Sequence, residues 1–277
     1  MTTAPVADRE IWGAIRLEAE RDVAREPMLA GFLYETVLRH ESLEDALATV
    51  LASKLDGPLM PAQAIHDLVF TAFQEDPGIG AAVRADLQAV LRRDPACRGY
   101  SQPLLYFKGF HAVQSYRVAH HYWARHEPLA LYLQSRISEV FAVDIHPAAR
   151  IGKGIMFDHA TSVVIGATAV VEDDFSMLHE VTLGGTGHVD GDRHPKIRRG
   201  VMIGAGAKVL GNIEVGEGAK IGAGSVVLRD VPPHCTVAGV PAKVVSFPSE
   251  PFPALEMDQS FDCTDFVVPL EKLDYSI

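Results

Sequence analysis

The chain has 277 residues, 48% of them apolar, and a formal charge of −11, so it can bury a core without metal or disulfide staples and fill one large or two modest domains. Its three dispersed cysteines, Cys97, Cys235 and Cys263, argue against a secreted disulfide framework, and its acidic balance argues against nucleic acid as a partner. With no apolar run of 18 residues and no basic-then-apolar leader near the start, the expectation is a cytoplasmic protein that does not use a membrane.

Residues 1–143 read as an all-helical domain. Asp8 is placed to cap a first helix carrying Ile11, Ile15 and Leu17, and Ser42 with Asp45 resembles a capping box before Ala46, Leu47 and Val50. Pro61 suits the first turn of a helix bearing Ile65, Leu68, Val69 and Phe73, and Asp76-Pro77-Gly78 breaks it. A further helix runs to Arg93, Asp94-Pro95 and the stretch from Tyr100 to Pro103 form a loop, and two more helices cover 107–125 and 128–141. His120, His121 and His126 lie in this region without an acidic or thiol cluster, so they read as surface or interface histidines rather than metal ligands.

From residue 144 the periodicity changes. Apolar residues recur every sixth position at Ile145, Ile151, Phe157, Val163, Ala169, Phe175 and Val181, and again at Ile197, Ile203, Val209, Val215, Ile221 and Val227. Neither a helix nor an ordinary strand has a period of six; a solenoid whose short strands each send one side chain inward does. The spacing of 16 between Val181 and Ile197 interrupts the beat, and the glycine-rich, charged stretch from Gly184 to Pro195 reads as an inserted loop of the kind that carries function. The fold class is therefore α+β in two domains, helical (1–143) and solenoid (144–245). Residues 246–277, with seven acids against one base for a net of −6, form a mobile acidic tail.

Three segments pair an acid with a histidine: Asp144 and His146, Asp158 and His159, and Asp192 with Arg193 and His194. If eighteen residues complete a triangular coil, Asp144 and His159 fall on adjacent coils near one another. A carboxylate beside an imidazole fixes its tautomer and stabilises its cation, as a general base requires. The same residues also fit polar turn positions.

The order of Arg93-Asp94-Pro95-Ala96, Asp144-Ile145-His146-Pro147-Ala148-Ala149, Asp158-His159-Ala160, Val181 to Thr186, Gly191 to Pro195, Gly204 to Ala207 and Ala238 to Ala242 closely resembles bacterial serine acetyltransferases. The resemblance implies a left-handed parallel β-helix that transfers acetyl from acetyl-CoA to L-serine, in cysteine biosynthesis, with feedback inhibition by L-cysteine. It implies His159 as general base and Asp144 as its orienting partner. Asp94 and Asp158 would face the substrate ammonium, with Arg193 and His194 on its carboxylate. Acetyl-CoA, as cosubstrate and with no metal, would lie along Gly185, Ala205 and Ala223 with Lys220 and Lys243 near its phosphates, although small residues are also expected at solenoid turns for steric reasons. The family further implies a dimer of trimers and docking of Ile277 into O-acetylserine sulfhydrylase. Rival readings are a hexapeptide O-acetyltransferase for another hydroxyl substrate, such as a sugar, a zinc-dependent carbonic anhydrase, and an inactive scaffold that binds a sulfhydrylase through its tail.

Overall fold

The computed structural model describes residues 8–187, 190–247 and 250–260. The helical region comprises α1 (Asp8–Arg25), α2 (Ala30–Leu33), α3 (Leu43–Leu55), α4 (Ala62–Glu75), α5 (Pro77–Arg93), α6 (Ser101–Tyr106), α7 (Lys108–Trp123) and α8 (Glu127–Phe141). Ser42 caps α3 by accepting from the Asp45 amide, and Asp76 both ends α4 and caps α5 through the Gly78 amide. The segment read as a loop at Tyr100–Pro103 is the start of α6, whose first amides at Tyr100 and Ser101 donate to Glu18 of α1. That tertiary cap has no signature in the local sequence.

Among the described residues the solenoid stacks fifteen strands in three sheets. One face holds β1 (Val143–Ile145), β4 (Val163–Ile165), β7 (Thr182–Gly184), β10 (Lys208–Leu210) and β13 (Val226–Val227). The second holds β2 (Arg150–Ile151), β5 (Val170–Val171), β8 (Lys196–Ile197) and β11 (Glu214–Val215). The third holds β3 (Met156–Phe157), β6 (Ser176–Met177), β9 (Met202–Ile203), β12 (Lys220–Ile221), β14 (Thr236–Gly239) and β15 (Ala242–Ser246). All neighbours pair parallel except β14 and β15, where the chain turns back at Val240-Pro241 and closes the stack. Every residue of the sixfold series is buried except Ile151, which is half-buried against the core. Each fully buried Val, Ile or Phe of the series contributes about 1.5–3 kcal/mol on leaving water, and Ala169 less.

One apolar core runs through helices and solenoid, and the joint between them is polar and buried. Asp86 of α5, fully shielded, accepts from Arg117 Nη2 (2.7 Å), Gln114 Nε2 (2.9 Å) and the Ile155 amide (2.8 Å). Arg117 of α7 also donates to the Ile151 and Gly152 carbonyls. The helices are thus tied to the first coil by groups that satisfy its exposed backbone.

The segment expected to form a mobile tail from 246 is not free at its start. Residues 242–246 are the strand β15, and α9 (Pro253–Glu256) folds back onto the solenoid. Phe252 lies over Gly200, where an added Cβ would come within 2.1 Å of its ring, and the Arg199 guanidinium sits 5.1 Å from the ring centroid. Ser176 Oγ donates to the Ala254 carbonyl. Prolines end the solenoid without preventing an apolar turn from docking on it. Ile277 lies outside the described residues.

Candidate active site

The corner between β3 and β4 carries Asp158 and His159. Seven positions separate Phe157 from Val164, whereas five separate the paired Met177 and Thr182 in the next coil. The two additional residues make the corner bulge, and His159, Ala160 and Ser162 adopt left-handed backbone conformations with φ between 58° and 61°. Such conformations cost energy for residues other than glycine and persist where surrounding contacts enforce them. Those contacts are present. Lys108 donates to Thr161 Oγ1, the Glu180 amide to the Thr161 carbonyl (2.7 Å), and the Ser162 amide to the Ala142 carbonyl (2.8 Å). The His159 side chain stands 73% exposed as a result, with Asp158 Oδ1 3.8 Å from its Nε2.

A cleft of about 360 Å³ opens beside this corner, and Asp94, Lys108, Asp158 and His159 all line it, with an apolar wall that includes Val90, Phe107 and Met156. Asp94 reaches it because Arg93, buried at the end of α5, clamps that helix to the solenoid. Its guanidinium donates to the Gly154 and Phe175 carbonyls and Ser176 Oγ, and pairs with Asp174. Burial pushes the Arg93 guanidinium down to about 10, so it stays charged at neutral pH. One Asp94 oxygen accepts from the Ala96 amide in an Asx turn, and its other carboxylate oxygen makes no hydrogen bond among the described residues.

Asp144, Arg193 and His194 lie elsewhere in the same chain, around the corner that follows the first sheet. Asp144 pairs in register with Val164 rather than stacking near His159, and its Oδ1 accepts from Gln134 of α8 (2.7 Å). The expected contact of Asp144 with His159 within one protomer is therefore corrected: the first coil takes twenty residues, not eighteen, because of the longer His159 corner. His194 is buried. The Thr168 hydroxyl accepts from the Arg193 and His194 amides (3.0 and 3.1 Å), and the Thr168 amide donates to His194 Nδ1 (3.2 Å), which makes that nitrogen the acceptor. That leaves hydrogen on Nε2, over Gly166. Burial, then the charges of Arg193 and Lys196, push the His194 imidazole below its ordinary value and favour this neutral form. His146, within electrostatic reach of Asp144, Arg193 and His194, is also pushed down, chiefly by burial.

The sheet register aligns further expected positions. Two residues beyond the paired strand ends Phe157, Met177, Ile203 and Ile221 stand His159, His179, Ala205 and Ala223, one per coil up a single edge. Ala205 and Ala223 thus share an edge with the candidate base. Gly185 packs against the stem of Arg193 on the other corner, and Lys243 is exposed on β15. Lys220 does not fit its expected role in this conformation. It is buried, its ammonium donates to the Ser260 carbonyl of the folded-back segment, and desolvation pushes its value down, so it is not presented to a phosphate.

The sequence reading passed over Lys108, Thr168 and His179. His179 has a recognisable signal, two residues after an inward Met177. The roles of Lys108 and Thr168 depend on tertiary contacts alone. Of the three histidines of this region, His120 bonds the Pro147 carbonyl, His121 pairs with Glu75, and His126, the N-cap of α8, packs edge-on against Tyr122. Among the described residues no group of three or more metal-ligating side chains converges, and no helix is long and apolar enough to cross a membrane.

Residues 11–115 match the family model of the serine acetyltransferase N-terminal region, and residues 194–229 match the bacterial transferase hexapeptide model of six repeats. The serine acetyltransferase of Escherichia coli is 58% identical over 253 residues, covering 91% of this chain and 93% of its own. A crystal structure of serine acetyltransferase from Vibrio cholerae superposes with a TM-score of 0.91 at 58% identity, covering 92% of this chain and 99% of that one. A serine acetyltransferase complex with cysteine gives 0.90 at 55% identity over 92% and 100% of the two chains. The Brucella abortus enzyme in complex with coenzyme A gives 0.85 at 51% identity over 86% and 96%.

Proposed function

The chain belongs to the serine acetyltransferase family and is an acyltransferase; from that premise we propose that it converts acetyl-CoA and L-serine to O-acetyl-L-serine and CoA. The observation that carries this reading is the convergence of Asp94, Asp158 and His159 in one cleft, at the end of the edge continued by Ala205 and Ala223. Two carboxylates there suit an ammonium group, and the exposed imidazole suits a hydroxyl.

His159 takes the proton as the serine oxygen attacks the thioester carbonyl, a transfer that typically contributes ~10²–10⁴-fold. The tetrahedral intermediate collapses by breaking the carbon–sulfur bond, since thiolate leaves more readily than alkoxide. The proton on His159 then passes to the departing sulfur. Arg193, as a planar fork, and His194, as an Nε2–H donor, are suited to the serine carboxylate.

Within one protomer these two groups sit on a different corner from His159. We therefore assign the complete site to an interface: Asp94, Asp158 and His159 from one protomer, Arg193, His194 and Asp144 from its neighbour, as the threefold contact of a dimer of trimers would bring together. Acetyl-CoA would then follow Ala223 and Ala205 toward His159, with Gly185 and Lys243 at its margins. The cysteine complex of a relative supports inhibition by L-cysteine, which would occupy the serine site, and with it a place in cysteine synthesis. Ile277 is assigned to capture by O-acetylserine sulfhydrylase through its terminal carboxylate.

Release of thiol from acetyl-CoA on adding L-serine tests the reading. Serine-dependent release supports it, while release with sugars and not with serine would replace it by the related O-acetyltransferase reading.

A further inference from the structure

Of the three acid–histidine segments, the one at Asp144 and His146 contains an imidazole that the acyl transfer above does not use. His146 stands one position beyond the paired Ile145 and Ile165, level with Gly166 on the next coil, and its amide donates to the Ile165 carbonyl (2.9 Å). Gly166 is the residue that His194 covers, since a Cβ there would fall 2.0 Å from the His194 Nε2. The absent side chain thus lets His194 fold over the corner one layer from His146, and such layers lie about 4.8 Å apart.

Both imidazoles are fixed in the same way. Nδ1 of His146 accepts from the Ala148 amide (3.1 Å), as Nδ1 of His194 accepts from the Thr168 amide (3.2 Å), so each ring carries its hydrogen on Nε2. The half-buried His146 ring is also held by the Trp123 indole, edge to face with centroids 5.0 Å apart. Among the described residues neither Nε2 makes a hydrogen bond. Burial pushes both imidazoles below their ordinary value, which keeps them neutral donors at neutral pH. A turn alone has no use for the second nitrogen of His146. The Ala148 amide needs only an acceptor two residues before it, which a shorter asparagine or aspartate supplies.

We propose that His146 is a specificity-determining residue for the substrate carboxylate: its Nε2–H joins Arg193 and His194 in a set of donors for the two carboxylate oxygens. The set carries the single positive charge of Arg193, because both rings are neutral and the nearby Lys196 is bonded to Asp192. That charge matches a carboxylate rather than a doubly charged phosphate. The inference rests on the acyl-transfer reading for the identity of the anion. It places all three donors on one corner of one chain, so it does not depend on the subunit contact.

His146→Asn and His146→Gln separate the two nitrogens. Asparagine keeps an acceptor near Nδ1 for the Ala148 amide and loses the Nε2–H, whereas glutamine carries an amide N–H near the Nε2 position. The measurements are steady-state kinetics with acetyl-CoA and L-serine, calorimetric titration of L-serine into the CoA-saturated enzyme, and thermal melting. The expected result for Asn is a rise of about tenfold in KM and Kd for serine, the scale of one hydrogen bond to a charged group. KM for acetyl-CoA and the melting temperature stay as in the wild type, kcat at saturation is much less affected, and Gln binds serine better than Asn does. Wild-type serine affinity in His146→Asn overturns the inference. So does an equal loss of affinity for acetyl-CoA, a loss that tracks the melting temperature, or the reverse order of Asn and Gln. A wild-type chain that binds serine but releases no thiol sinks the acyl-transfer reading and leaves the titration to decide His146; one that binds no serine overturns both.

Discussion

His159 occupies a left-handed backbone position, so a substitution there disturbs the corner unless the new residue tolerates that conformation. Asparagine does, which makes His159→Asn a probe of chemistry rather than of folding. Its kcat should fall by ~10²–10⁴, while coenzyme A titrated into the variant in a calorimeter binds as it does to the wild type. Retained turnover would remove His159 as base. Gly166 plays the corresponding part for His194: a Cβ at that position would lie 2.0 Å from the imidazole Nε2. The ring cannot simply swing aside, because it is buried and its Nδ1 is held by Thr168. Gly166→Ala should therefore raise KM for serine by about tenfold, the scale of one charge-assisted hydrogen bond, with kcat at saturation much less affected. An unchanged KM would detach His194 from the substrate carboxylate.

Between elements, the joint of α5, α7 and the first coil depends on Asp86. Removing that carboxylate by Asp86→Ala leaves the buried Arg117 without its counter-ion, a change that costs about 3–5 kcal/mol and should appear as an earlier denaturation midpoint. His111 gives α7 a pH dependence as well. Its Nε2 donates to the Leu104 carbonyl, and burial pushes its value down to about 4, below the 6.5 of an unfolded chain. The unfolded chain binds the extra proton first as pH falls, so the stabilisation is complete above pH 6.5 and is lost progressively toward pH 4. Denaturation at stepped pH should show this slope in the wild type and its reduction in His111→Asn; parallel curves would exclude it. The element pattern itself was largely legible, because inward residues obey a period that steric packing of the coils imposes. Corner length obeys no such constraint, which is why the two additional residues at the His159 corner, and with them the separation of Asp144, could not be read from the beat. The docking of Phe252 on Gly200 was equally hidden, since a proline-rich acidic segment carries no signal of the surface that receives it.

On the scale of the whole molecule, the decisive feature is that one chain carries both halves of the proposed site on different edges of the same solenoid. Asp94, Asp158 and His159 share a cleft; Arg193 and His194 line the corner beyond Thr168. Rotation about a threefold axis can bring one edge of a prism against a different edge of its neighbour, and the contact repeats until the ring closes. In the proposed trimer each site draws its base from one protomer and its carboxylate anchor from the next. Two inactive variants, His159→Asn and Arg193→Ala, should consequently repair one another when co-expressed. In randomly mixed trimers a site is intact when the protomer supplying the base is the Arg193 variant and its neighbour the His159 variant, so about a quarter of wild-type activity should return. Mixing the separately purified proteins should restore activity only as fast as subunits exchange. If co-expression restores none while mixed trimers form, His159 and Arg193 must act within one protomer.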